Sequence, residues 1–63
     1  MIIARFKFAN ETKGALKYAE IDEAGEVIDM VHSKIGSVYL RKTVLDGARP
    51  RFIEVEVKPI EMD

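Results

Sequence analysis

The side chains with the widest chemical range here are one histidine, two serines near it, a run of acids, and basic residues interleaved with aromatics. His32 is followed by Ser33 and then Ser37, which raises a hydroxyl–imidazole pair. Such pairs are made by geometry and a third orienting group, not by adjacency. Both serines sit in or beside a turn signal and are read as turn residues. Glu20, Asp22, Glu23, Glu26 and Asp29 form a loose acidic cluster. They lack the alternating ligands, central glycine and twelfth-position glutamate of a calcium loop, so they are read as a solvated acidic turn. Cysteine is absent, which excludes a thiol nucleophile, a disulfide and a thiolate ligand. With a single histidine, a zinc site would have to be built from carboxylates, which is not its usual pattern. Gly14, Gly25, Gly36 and Gly47 stand alone, one per connection, and make no phosphate loop. No catalytic residue set, metal site or cofactor site follows, and the chain is read as a non-enzyme.

One constellation survives, and it depends on which residues share a face. Ile2 to Ala9 alternates, with Ile2, Ala4, Phe6 and Phe8 on one side and Ile3, Arg5 and Lys7 on the other. Period two with aromatics predicts a strand, and Asn10 to Gly14 predicts its end. Ala15 to Ile21 reads in two ways. Its Ala, Leu, Lys and Glu suit a short helix within 15–24 capped by Gly25. The alternative, which is preferred, is a strand closed by Asp22-Glu23-Ala24-Gly25 as a type I turn with a left-handed glycine, and Glu26 to Val31 as the return strand. After a turn at Ser33 to Gly36, Ser37 to Leu45 alternates again, with Val38, Leu40 and Val44 opposite Tyr39, Arg41 and Thr43. Pro50 lacks the amide donor a central ladder needs. Phe52 to Lys58 is the last strand, with Ile53, Val55 and Val57 inward, and Pro59 ends it.

The fold class is therefore mostly β: one domain over residues 1–63, an antiparallel meander of four to five strands, with small barrel-like or dimeric sheet packing. The face opposite the core would show Arg5, Lys7, Tyr39, Arg41, Phe52 and Lys58, with Arg49 and Arg51 flanking Pro50 in a loop. Cations that follow a phosphate backbone, interleaved with aromatics that stack bases, are the footprint of a single-strand nucleic-acid binder. The same face also carries Glu54 and Glu56, which can pair with Arg5, Lys7 or Arg41 across strands. Tyr39 and Phe52 equally suit a subunit interface, where aromatics and arginine are enriched.

Charge is uneven along the chain. Residues 1–33 carry four cations against six acids, residues 34–58 six against three, and Glu61 and Asp63 follow, for a net −1. A chain of 63 residues with no staple has a thin margin of stability, so a homodimer or higher homo-oligomer is expected. Met1 to Ala4 is apolar, but Arg5 and Lys7 interrupt it too soon for a signal peptide. No run reaches the roughly 18 apolar residues of a membrane helix. With no cysteine, the expectation is a cytoplasmic protein that makes no membrane contact.

Glu11-Thr12-Lys13, Tyr18 with Glu20, and Gly36 with Tyr39 and Lys42 resemble a group of small bacterial and phage β-rich proteins. Leu45 before a Pro-containing turn and the Ile/Val strand add to the likeness. It covers the larger part of the chain and leaves out Glu26–Ile35. No activity is assigned to that group, so the likeness implies a strand around Leu16 and Lys17 and nothing about mechanism. Function is expected to be binding: first a protein partner or a second copy, and second single-stranded nucleic acid.

Overall fold

Alternation of apolar and polar residues builds the sheet. In the computed structural model, which describes residues 1–62, four strands form: β1 (Ile2–Glu11), β2 (Ala15–Ile21), β3 (Ser37–Arg41) and β4 (Phe52–Val57). All neighbours are antiparallel, in the order β3-β2-β1-β4, and the sheet curls into a half-barrel. The first three strands are a meander. The fourth returns across the sheet to pair with the free side of β1, with Ile2 opposite Val57 and Lys7 opposite Phe52.

The inward face holds the core. Ala4, Phe6, Leu16 and Tyr18 are buried, and Phe8, Val38, Leu40, Ile53 and Val55 pack on them half-covered. Phe8 meets Tyr18 edge-to-face with ring centroids 5.7 Å apart, a preferred aromatic geometry. The connection from β3 to β4 covers this face. Tyr18 donates its phenolic hydrogen to the Pro50 carbonyl at 2.9 Å, so the burying residue also ties down its cover.

The segment 15–24 holds the preferred strand and turn and not the alternative helix; there is no helix among the described residues, hence none long and apolar enough to cross a membrane. Several other expectations are corrected. Glu26 to Val31 is not a return strand: only Val27 bridges to Ile21, and β3 takes the edge of β2 instead. The turn before it is as expected, with Gly25 at φ 85° and Asp22 accepting from the backbone of Ala24 and Glu26. The strand expected over Ser37–Leu45 stops at Arg41, and Val44 is exposed in the turns that follow. Finally, β1 passes Asn10 and reaches Glu11. It does so through a bulge at Ala9, because Phe8 pairs with Tyr18 while Asn10 already pairs with Lys17.

Candidate functional site

Parity places Arg5, Lys7, Tyr39, Arg41 and Phe52 together on the outer face, as the alternation implies. Their spacing across the sheet divides them. Lys7 lies between Phe52 and Ala19, and Arg5 between Glu54 and Ile21. Arg5 Nε meets Glu54 Oε2 at 3.4 Å with both side chains exposed, the cross-strand pairing open to it from the sequence and a weak one in water. Tyr39 stands on the opposite edge beside Lys17, whose Nζ is 5.8 Å from the ring centroid. Three strand spacings, roughly 14 Å, separate the β3 aromatic from the β4 aromatic. Tyr39 and Arg41 share a shallow cavity of about 340 Å³ with Thr12, Gly14 and Ala15.

The loop residues do not join that face. Arg49 grips Glu11 through Nε at 2.8 Å and Nη2 at 3.3 Å, and Lys42 Nζ reaches the same carboxylate at 2.8 Å. The Arg49 bonds first, then Lys42, hold Glu11 far below its ordinary value, from 4.5 to about 2. This cluster fastens the crossover to the end of β1. Arg51 is exposed at the start of β4, with its carbonyl accepting from Phe8 at 2.8 Å. Lys58 lies just past the other end of β4. Ser33 donates to the Met30 carbonyl at 3.1 Å, and the His32 ring is 2.8 Å from Asp29. Both act inside the turn that follows Asp29.

The acid that matters most to the architecture is Glu20, which is buried and not part of a solvated cluster. It shares the inward parity of Leu16 and Tyr18, the one signal in the sequence that marks it. Its carboxylate accepts the backbone N–H groups of Lys34, Ile35 and Gly36 at 2.8–3.1 Å. Burial pushes its pKa up, but the N–H groups of Gly36, Ile35 and Lys34 outweigh that and leave it lowered. Lys34 Nζ also donates to the Ile3 carbonyl at 3.3 Å. The long β2–β3 loop is thus pinned to the start of β1.

That connection makes the two ends of the sheet unlike. At one end lie the start of β1, the β2–β3 loop and the residues after β4. Of thirteen exposed large apolar side chains, nine belong to those segments, and a tenth, Val57, ends β4 opposite Ile2, so this end is rich in exposed apolar side chains. Met30 (90%), Val31 (87%) and Met62 (82%) are almost wholly in water. Around them stand the exposed acids Asp22, Glu23, Glu26, Asp29, Glu56 and Glu61 against Lys34 and Lys58, a net −4. The opposite end carries Lys13, Lys17, Arg41, Lys42, Arg49 and Arg51 against Glu11 and Asp46, a net +4. Of the three remaining exposed apolar residues, Tyr39 and Val44 lie towards this end, and Phe52 stands opposite Lys7 on the outer face. Among the described residues, no group of three or more His, Cys, Asp or Glu side chains is placed to hold a metal ion.

Searches against protein-family models, curated proteins and solved structures find no match to this chain.

Proposed function

We propose that this protein is a non-enzymatic docking module whose working surface is the apolar, acid-rimmed end of its sheet, and that its partner is a protein surface. One observation carries this: ten of the thirteen exposed large apolar side chains gather at that end. Single exposed apolar residues are ordinary, whereas a contiguous patch with a polar rim is characteristic of an interaction site. The acidic rim disfavours nucleic acid and anionic lipid there and selects a partner that offers apolar residues within a basic border. The cytoplasm, a reducing compartment, suits a chain with no cysteine.

A photoreactive amino acid at Met30, introduced in the living cell, tests this against the same residue at Lys7 on the sheet face. The expected result is a protein adduct of defined mass from position 30 and none from position 7. Adducts from position 7 alone, or none from either, would refute the assignment.

A second reading, single-stranded nucleic-acid binding, is favoured by the net +4 end with Tyr39 and Arg41 exposed beside Lys17. The separation of Tyr39 from Phe52 confines it to the β3 edge. Anisotropy titrations at about 50 and 200 mM salt decide it, since log affinity for single strands falls by about 0.7 per phosphate contact per log unit of salt.

A further inference from the structure

We infer that the occupant of the apolar end is the opposite end of a second copy, so that the protein assembles head to tail. This rests on the docking surface proposed above and names its partner. Three features support it.

The first is charge. An isologous dimer through the apolar end would bring two rims of net −4 together. The opposite end, net +4, is instead complementary, and it supplies apolar contacts from Tyr39 and Val44. Arginine and aromatic residues, which the basic end supplies, are enriched at protein interfaces, and opposite charge across a contact steers and orients it.

The second is area. The chain exposes 5214 Å², about 1,100 Å² more than a folded monomer of this mass is expected to show. Its Cα radius of gyration is 12.6 Å, against about 10.6 Å for a compact domain of this length. With extents of 35 × 32 × 16 Å, an end of the sheet offers about 500 Å², so one junction covers about 1,000 Å² in all, the lower limit for a specific contact. Covering both ends of one molecule accounts for an area close to the excess. A junction this small is weak and sensitive to salt.

The third is symmetry. The two surfaces differ and lie at opposite ends of the strands, so the contact is heterologous and repeats into a ring or an open chain. It cannot stop at a twofold dimer.

Complementation tests this. One variant, Met30→Ser with Val31→Ser, disables the apolar end without changing charge. Another, Tyr39→Ala with Arg41→Glu, disables the basic end. These side chains are exposed, and circular dichroism verifies the fold; if the second variant unfolds, Lys13→Glu with Arg41→Glu replaces it. Sedimentation velocity from about 10 μM to 1 mM in low salt, where charge screening is weak, is the readout. The wild type is expected to grow with concentration beyond a dimer. Each variant alone stays monomeric, and an equimolar mixture forms a one-to-one dimer, because each retains the end the other lacks. A basic-end variant that still dimerises would make the contact isologous and overturn the inference. A wild type that is monomeric throughout overturns the second copy as occupant. In that case a position-30 adduct with a different protein would still uphold the docking surface.

Discussion

At the residue scale, Glu20 is the side chain on which the arrangement of the apolar end depends. A buried carboxylate is costly unless its oxygens are satisfied, and here three backbone donors satisfy them. Hydrogen bonds to a charged group contribute about 1.5–3 kcal/mol each, against a total stability of roughly 3–9 kcal/mol for a chain this long. Glu20→Gln is therefore expected to destabilise the protein by about 2 kcal/mol, seen as a lower urea midpoint with an unchanged slope. The folded-state pKa values of Glu20 and Glu11 are both lowered. Their contributions are then fully present above the ordinary carboxylate range and lost as pH falls through the folded values. For Glu11 that window runs from 4.5 down to about 2. Denaturation midpoints taken across it should decline for the wild type, and less steeply for Glu11→Gln. The exposed Glu11 part should shrink in high salt. Glu20 was hard to read in advance because a glutamate in an alternating strand ordinarily points outward. Only its parity with Leu16 and Tyr18 gives it away, and that parity competes with the nearby acids, which draw it into a solvated cluster.

At the element scale, the strands that were legible are those whose alternation runs without interruption, β1 and β4. Their inward residues Ala4, Phe6, Ile53 and Val55 do lie on the core side. Glu26–Val31 misleads for a physical reason. Its local pattern suits a hairpin, but the edge of β2 from Ala15 to Ala19 is taken by β3, whose Val38 and Leu40 pack on the core while Val27 and Val31 stay exposed. Alternation also says nothing of which strand pairs with which, so the return of β4 to β1 was not readable. That return depends on the 42–51 crossover, held by Glu11 from one side and by Tyr18 from beneath. Tyr18→Phe keeps the ring and removes the bond to Pro50, at a cost of about 1 kcal/mol. Amide exchange in residues 42–51 should accelerate more than exchange in β1 and β2. Equal acceleration everywhere would mean the bond supports the whole sheet and not its cover. On the other connection, Gly36 adopts φ 98°, and its N–H is one of the three that Glu20 accepts. Gly36→Ala should cost about 1–2 kcal/mol through backbone strain alone, since an added methyl would meet nothing closer than Ser33 Oγ at 3.7 Å. A urea midpoint indistinguishable from wild type would show that the loop relaxes around the change.

At the scale of the whole molecule, the features that residue patterns do not display are its polarity and its unfinished surface. The segments that gather at each end are far apart in the chain, so the charge of an end becomes visible only once β4 has returned beside β1. The consequence is thermodynamic. A partner that binds the folded state alone stabilises it by mass action, and a second copy is a partner whose concentration is that of the protein itself. The thermal midpoint should therefore rise with protein concentration once the junction is populated. Each tenfold increase above the dissociation constant adds about 1.4 kcal/mol, and for a domain this small each kcal/mol is about 4–8 °C. Met30→Ser with Val31→Ser separates this effect from the stability of the fold itself. Those side chains are 90% and 87% exposed and contribute almost nothing to the core. In dilute solution the variant should melt with the wild type, and only at high concentration should the wild type pull ahead, by less in high salt than in low. If the variant instead melts lower at every concentration, the 26–35 loop is bracing its own sheet, and the apolar end is part of the monomer's fold and not a surface held ready for another chain.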